Sequence, residues 1–458
     1  MNTPSLSRIL AALFCASILS TAFAGNAKLL RKVGTVSMIR GDTTVALNVG
    51  DEIPEGARVV TGSGSQAYIQ TIEGAVSTLQ ENTELVVDIV KPASGTAKAE
   101  ALLDLKKGNL VSTLDPSKRD VNDYRVKTTQ GVAAARGTAF TVSVTNAGFS
   151  ITSTADSVTF ESPSGTMTIS AGMVSFTPPG ATQPLPPQPL STAIASNPAL
   201  AQIVQTAVST VATVVQNNLG NLSAESTTNL ATQVVAVAAA AQPAQAATYA
   251  NQMVQAVTST SSATSSTSTL TAATVAAAAA KAAPEEAAAI TTQVTNIVAQ
   301  SAQAGESNTA VATVAAAVAH AAPEQAGSVA AAAAQASPAS AGVVTAAVAQ
   351  VTGISTESIA QSVAQATGST TSEVQTQASQ SSAQASTASS TATQAGDTAT
   401  QTTQNVITQP STPSTPSTPS GETTPQQPTG QTNQPTTPTE TTPAVDPTIN
   451  PVSPAGAR

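Results

Sequence analysis

The sequence predicts an all-β N-terminal domain (a sandwich, barrel or short β-solenoid), then Ala-rich α-helical segments and a disordered tail. Three observations carry this. Up to about residue 180, apolar and polar residues alternate in short runs broken by Gly, Pro and Asn. Between residues 198 and 370 a Pro-led motif recurs with apolar residues spaced three and four apart. From residue 371 to 458 the chain is mostly Ser, Thr, Gln and Pro. The expected organisation is a signal peptide over 1–24, a β-domain over 25–180 and a Pro-rich linker over 181–197. An Ala-rich helical low-complexity region over 198–370 and the tail over 371–458 complete it.

The first segment has the three parts of a secretory signal. Arg8 gives the positive start, an apolar run follows from Ile9 to Leu19, and Ala22-Phe23-Ala24 has the small-x-small pattern of a cleavage site. Cleavage between Ala24 and Gly25 is expected, which makes the protein exported: periplasmic, cell-surface or secreted. The one cysteine, Cys15, leaves with that segment, so no disulfide or Cys-bound metal is expected in the mature chain. No span of a bilayer is expected in the mature chain either, because its longer apolar stretches are interrupted by Thr, Ser and Gln.

Charge is distributed unevenly. Residues 25–180 hold 15 acids and 14 bases, whereas residues 181–458 hold 11 acids and only Lys281 and Arg458 as bases. A nucleic-acid partner is excluded, because no basic patch exists to neutralise phosphates.

The β-region is written at period two, the repeat of a strand with one apolar and one wet face. Val36 and Met38 share a face. Val45, Leu47 and Val49 alternate with Thr44, Ala46 and Asn48, and Phe140, Val142 and Val144 alternate with Thr141, Ser143 and Thr145. Gly41-Asp42, Gly50-Asp51, Pro54-Glu55-Gly56 and Lys107-Gly108-Asn109 separate the runs as turns. Residues 97–105 fit either a short helix or a strand.

Common catalytic constellations cannot be assembled here. The β-region has neither His nor Cys, which removes the usual triads and ordinary zinc sites. Gly62-Ser63-Gly64-Ser65 lacks the Lys of a phosphate loop, and the Asp spacing lacks the calcium-loop pattern. Asp51-Glu52 and Glu81/Glu84 fall among turns and polar strand faces and read as solvated surface. No cofactor and no metal are expected. His320, the single histidine, reads as a solvent-facing helix residue.

An ordered set of motifs resembles the FecR domain family. It begins with Gly34-x-Val36 and Arg40-Gly41-Asp42, then Leu47-x-x-Gly50-Asp51-x-Ile53-x-x-Gly56, Val60-Thr61-Gly62 and Ser65-Gln66-Ala67. Asn82-Thr83 marks a polar turn between Leu79 and Leu85, and Leu105-x-x-Gly108-x-Leu110-Val111 follows. Arg136-Gly137-Thr138-x-Phe140-x-Val142 is the most specific piece; Ser162-Pro163-Ser164-Gly165 and Ile169-x-Ala171-Gly172 close the set. The resemblance implies an exported β-rich domain of a sensory or interaction type. In the family's signalling regulator a cytoplasmic arm and a membrane helix precede this domain; here a signal segment does, so direct contact with a sigma factor is not implied. Gly50, Asp51, Gly56, Arg136, Gly137, Thr138 and Phe140 are the family's signature positions and read mainly as structural. Gly137 permits a tight backbone path, Phe140 is core, and Thr138 bonds a neighbouring backbone group. Arg136 either pairs with a buried acid such as Asp104 or Asp115 or meets a ligand carboxylate through its planar fork.

The middle region repeats Pro-x-x-Ala-x-x-Φ-x-x-x-Φ, with Φ apolar. Pro198, Pro243, Pro284, Pro323 and Pro338 lead the copies, about 45, 41, 39 and 15 residues apart. Pro suits the first helical turn, Glu285-Glu286 and Glu324 suit the positive helix start, and Ala is the best helix former. Short amphipathic helices in hairpins are expected, split by a Ser/Thr link over 259–269. The uneven spacing argues against a regular solenoid. Alanine faces bury little area, so these helices need one another, another copy or a partner. The tail has almost no apolar residues to offset chain ordering and is expected to be disordered.

The functional expectation is a non-enzymatic exported binding or sensory module of the cell envelope. Its ligand would be an envelope protein, a glycan or a small molecule, with self-association through the Ala-rich helices. The alternative is a structural envelope protein in which helices and stalk display the β-domain.

Overall fold

The computed structural model of the protein describes residues 25–260, 265–303 and 305–407. The expected signal segment with Ala24, and the tail from residue 408, lie outside the described residues. Seventeen strands are described: β1 (Ala27–Val33), β2 (Val36–Arg40), β3 (Thr43–Ala46), β4 (Glu52–Ile53), β5 (Arg58–Thr61), β6 (Gln66–Ile72), β7 (Ala75–Leu79), β8 (Glu84–Lys91), β9 (Ala99–Leu114), β10 (Asn122–Thr128), β11 (Gly131–Ala135), β12 (Ala139–Thr145), β13 (Gly148–Ala155), β14 (Val158–Ser162), β15 (Gly165–Ile169), β16 (Met173–Thr177) and β17 (Gln188–Pro189). The ambiguous stretch at 97–105 is therefore the start of the longest strand.

The strands form a two-layered sandwich. One sheet runs β4-β1-β6-β7-β9-β12-β13-β16-β17. The other runs β3-β2-β5-β8-β9-β10-β11-β14-β15, antiparallel except for β9 beside β10. The sixteen-residue β9 belongs to both, its first half in the second sheet and its last residues in the first. It bends at Gly108 (φ 96°), where a Cβ would lie 2.5 Å from Thr83 Cα, a spacing that excludes any side chain. Between the sheets lies an apolar core that includes Leu29, Ile69, Leu79, Leu103, Leu105, Phe140, Ile151 and Phe160.

The alternation read from sequence places apolar residues in the core where the strand is paired on both sides, but the expected wet face is absent there, Thr141 and Ser143 being 2% and 5% exposed. Phe140 and Val142 are fully buried in this core. It fails at Val45, Leu47 and Val49. The edge strand β3 is exposed throughout, Val45 and Val49 are 48% and 59% exposed, and only Leu47, beyond the strand end, is buried.

Tyr124 ties the layers together. Its hydroxyl lies 2.7 Å from Ser77 Oγ and 2.8 Å from Ser112 Oγ. Burial pushes its phenol up to about 12 from an ordinary 10.0. The unfolded chain therefore releases this proton first. The stabilisation is complete below about pH 10 and is lost as the pH rises towards 12, at about 1.4 kcal/mol per pH unit. In an alkaline titration, tyrosinate absorbance is expected to rise together with loss of the β-sheet signal. A Tyr124→Phe chain should lose stability less steeply over that window; identical slopes would contradict the assignment.

Twelve helices follow in the described residues: α1 (Leu190–Ser196), α2 (Ala199–Gln216), α3 (Ala224–Ala241), α4 (Ala246–Thr258), α5 (Ser265–Ala282), α6 (Ala287–Ser301), α7 (Ser307–Ala321), α8 (Ala326–Ala336), α9 (Ala341–Thr352), α10 (Thr356–Thr367), α11 (Thr371–Gln380) and α12 (Ser382–Ile407). They stack as five hairpins. The even helices α2 to α10 pack in sequence as one layer, the odd helices α3 to α11 as a second, and α12 lies across α3, α5, α7 and α9. This is a short two-layered solenoid, contrary to the reading of the repeat spacing. The long steps, from Pro198 to Pro243, Pro284 and Pro323, run from one hairpin to the next; the short step to Pro338 falls inside a hairpin, between α8 and α9. Four of these prolines open a 3-10 turn, at Pro243–Gln245, Pro284–Glu286, Pro323–Gln325 and Pro338–Ser340.

Three expectations are corrected here. Residues 181–197 are not a free linker: Leu185 N–H donates to Phe176 O, β17 pairs with β16, and α1 buries Leu190 and Ala193. Residues 371–407 are helical rather than disordered. A Thr370/Glu373 capping box starts α11, and α12 buries Ala385, Ala388, Ala392, Ala395 and Ala399, a stripe that overall composition hides. The Ser/Thr link shortens because α5 already begins at Ser265.

The helices and the first sheet share one core. Tyr68, Val76, Ala139, Ala155 and Val174 face helical residues including Leu200, Val204, Val211 and Leu230. Gln80 Nε2 donates to Thr210 Oγ1 of α2 at 3.1 Å, and Ser226 of α3 donates to Asp115. The same sheet face also buries the Thr78, Thr113, Thr141 and Thr152 hydroxyls without a hydrogen-bond partner. α2 has the length and composition of a membrane span, and it packs here against β9, β12, α3 and α4.

Candidate functional site

With the first sheet covered by helices, the second sheet is the open face of the sandwich. Its outward side carries a ladder of cross-strand charges on β5, β8, β9 and β10. Arg58 pairs with Glu84 (3.0 Å), Lys91 with Glu100 (2.9 Å), and Lys127 with Asp104 (3.1 Å) and Asp88 (3.7 Å). Lys106 holds Asp104 at 2.6 Å, and Arg125 reaches both Glu100 and Asp123. The Lys91 hydrogen bond, with the Arg125 charge beside it, holds the Glu100 carboxyl below the usual carboxylate range. Exposed pairs of this kind add about 0–1 kcal/mol each; their main effect is to use up the charge of both partners.

At one end of this face lies a groove of about 550 Å³ lined by Arg119, Asp120, Asp123, Arg136, Asp156 and Glu161, with Ala134 and Thr159 among the other walls. Arg119 is spoken for, its Nη2 lying 3.0 Å from Asp156 Oδ2. Arg136 is exposed and forms no ion pair among the described residues. Neither acid considered as its partner is available. Asp104 is taken by Lys106 and Lys127, and Asp115 accepts from Ser117 N and from Ser226.

The rest of the signature is buried beside this exposed guanidinium. Arg136-Gly137-Thr138 is the corner where the chain leaves β11 in the open sheet and enters β12 in the covered one. Gly137 sits at φ 64°, and a Cβ there would come 2.6 Å from Pro116 Cα, because the corner crosses the short 3-10 turn Pro116–Lys118. Thr138 is fully buried and its carbonyl accepts from Leu114 N at 2.8 Å. Its own hydroxyl reaches only Ala139 O, at 3.4 Å, so the main chain rather than the side chain fixes the corner. Phe140 is fully buried and meets Tyr124 edge-on, with centroids 6.2 Å apart and planes at 77°.

The remaining signature residues lie elsewhere. Gly50 (φ 96°) donates its N–H to Leu29 O, and Asp51 Oδ2 accepts from Asn48 N, closing one turn. Gly56 (φ 79°) donates to Val87 O in another. Gly25 donates its N–H to Val90 O at 2.7 Å. None of these residues lines the Arg136 groove.

Two features escaped the sequence reading. The charge ladder was signalled by Asp88, Asp104, Lys106 and Lys127 standing among apolar strand residues. A second cleft, of about 250 Å³, opens at the seam between the covered sheet and α2, with Asn109, Ser143, Phe176, Gln202 and Ile203 on its walls. No local signal marks it, since its walls meet only through tertiary packing. His320 faces solvent only in part: its side chain is 26% exposed, and its Nε2 lies 3.0 Å from Asp397 Oδ1 of α12.

A family model described as FecR protein matches residues 57–159, from just before β5 into β14. Among solved structures, two crystal structures of a candidate anti-sigma factor from Parabacteroides distasonis ATCC 8503 are similar to this chain at 15% identity, each with a TM-score of 0.25. They cover 29% and 31% of this chain and 59% and 64% of their own, so this chain spans less than two thirds of their length. Among curated proteins, none matches. Over the matched residues, with the Arg136 corner inside them, the chain carries a FecR-type β-domain.

Proposed function

We propose that the protein is a non-enzymatic, exported regulatory module of the cell envelope that binds a protein partner through the Arg136 groove. The observation that carries this reading is an exposed guanidinium, without an ion pair among the described residues, at the end of a face whose ladder charges are paired. A guanidinium offers a planar fork that takes a carboxylate through two parallel hydrogen bonds. Asp120 and Glu161, on the same walls, suit a basic group of the same partner. The groove therefore favours a polypeptide segment carrying both charges, and its carboxylates repel phosphates. Export rests on the signal-like segment at 1–24.

The test is photo-crosslinking in cells from a reactive residue placed at Thr159, combined with fractionation. A discrete protein adduct is expected, falling at least about tenfold in an Arg136→Ala chain. That chain should keep its stability within about 0.5 kcal/mol, as is usual for a surface change away from packing. Equal adduct yield with and without Arg136 would overturn the groove. Recovery of the chain only from cytoplasm would overturn export.

A second reading, a structural protein that displays the β-domain, draws on the helical stack seated on the covered sheet, which leaves the Arg136 face open. Loss of surface integrity or adhesion on deletion, with no adduct at residue 159, would favour it.

A further inference from the structure

The longest helix, α12, lies in the trough formed by α3, α5, α7 and α9, and its residues describe what that trough accepts. Its buried stripe is mostly alanine: Ala385, Ala388, Ala392, Ala395 and Ala399 are all 0% exposed, and Gly396 and Thr403 are buried with them. The helices beneath bury many alanines as well, Ala276 and Ala280 on α5 and Ala312 and Ala316 on α7 among them, together with valines such as Val275, Val311 and Val344. Small side chains on α12 let helix axes approach closely and favour small residues at the contact. One position is more restrictive still. At Gly396 an added Cβ would lie 2.4 Å from the His320 ring, so the imidazole rests directly on the α12 backbone. The next residue, Asp397, is the only charged residue of α12, and it takes the His320 Nε2 contact at 3.0 Å. Ser389 Oγ donates to Gln350 Oε1 of α9 at 2.8 Å. The trough is thus a helix-in-groove site that reads an alanine stripe, one glycine and one acid.

The attachment of α12 permits its departure. It joins α11 through Ser381 alone, whose φ of −96° and ψ of 11° kink the two helices apart. Turning that one residue towards the ordinary helical values near −63° and −42° joins α11 and α12 into a single helix of about 55 Å. The five hairpins pack against one another in two layers without α12. Away from its buried stripe, α12 up to Gln404 is mostly Ser, Thr and Gln with Ala383 and Asp397, a face that is largely exposed. The vacated trough is apolar and narrow, and the segment that fits it is a second copy's α12.

We propose that the trough is a helix-accepting interface through which two copies of the chain associate by exchanging α12. Exchange reproduces each contact above between chains and needs no new surface.

Cysteines at the Gln350–Ser389 contact test this, in a full-length Cys15→Ser background. A chain with Gln350→Cys is mixed with a chain carrying Ser389→Cys and oxidised. A disulfide-linked heterodimer is expected, at least tenfold above either chain alone, because like cysteines do not meet in the exchanged pair. Adding Gly396→Leu to the Ser389→Cys chain should remove it, since the leucine cannot seat under His320. The doubly substituted chain, Gln350→Cys with Ser389→Cys, guards against a seat that does not form. If it closes only within single chains while the mixture stays unlinked, exchange is ruled out. If it forms no disulfide at all, the seat itself is wrong and the proposal goes with it. Neither result touches the Arg136 groove, which is read by a separate crosslink.

Discussion

Replacing Gly137 by alanine is expected to destabilise the β-domain by about 3 kcal/mol, although only one methyl group is added. Two costs combine. The residue sits at φ 64°, a left-handed conformation that costs an L-residue about 1–2 kcal/mol. The new Cβ would also stand 2.6 Å from Pro116 Cα, against backbone that cannot rotate away, and forced overpacking costs about 1–3 kcal/mol. The 3-10 turn has little freedom to retreat. Asp115 caps it through Ser117 N, Pro116 fixes its first dihedral, and Ser226 of α3 holds Asp115 from the other side. Urea denaturation of the full chain, followed by circular dichroism, should show the midpoint for loss of strand signal falling well below that of the parent. A Gly137→Ala chain with an unchanged midpoint would show that the corner relaxes freely, and the packing account of the signature would fail. Arg136→Ala, one residue away, is the matched control and is expected to leave the midpoint in place.

How far the sequence could be read follows from how local each determinant is. Gly137 and Phe140 were legible because a turn glycine and an alternating strand leave a pattern within a few residues. The partner of Arg136 was not, since whether Asp104 or Asp115 is free depends on Lys106, Lys127 and Ser226, which meet them only after folding. The Pro-led repeat marked five of the helices, α2, α4, α6, α8 and α9, yet its uneven steps concealed the solenoid, because one step spans half a hairpin and the others a whole one. Composition misled most at α12. A Ser/Thr/Gln-rich segment with few large apolar residues normally cannot offset the entropy of ordering. Here alanine at every third or fourth position is enough, because it packs against four helices that are themselves rich in buried alanine. The same reasoning covers residues 181–197, where Leu185 and Leu190 find backbone partners on the sandwich itself.

Phe140→Ala is expected to cost about 4 kcal/mol, the larger of the two losses. The ring is fully buried between the sheets, and emptying such a site costs about 3–5 kcal/mol through lost transfer energy and the cavity left behind. Collapse around the cavity is resisted on several sides. Ala139 next to it is packed into the helical core, while Phe140 itself pairs with Ser112 of β9 and with Ser153 of β13. The edge-on contact with Tyr124 is lost as well, and that phenol is held by Ser77 and Ser112 and cannot swing into the gap without breaking both hydrogen bonds. Phe140→Leu, which refills most of the volume, should recover more than half of the loss. Denaturation midpoints for the two chains, measured beside Arg136→Ala, separate fold from recognition. If Phe140→Ala and Phe140→Leu lower stability in that order while Arg136→Ala lowers only partner capture, the corner holds the sandwich together and the exposed guanidinium does the binding. A Phe140→Ala chain as stable as its parent would mean that the core does not depend on this ring, and the structural reading of the whole signature would have to be given up.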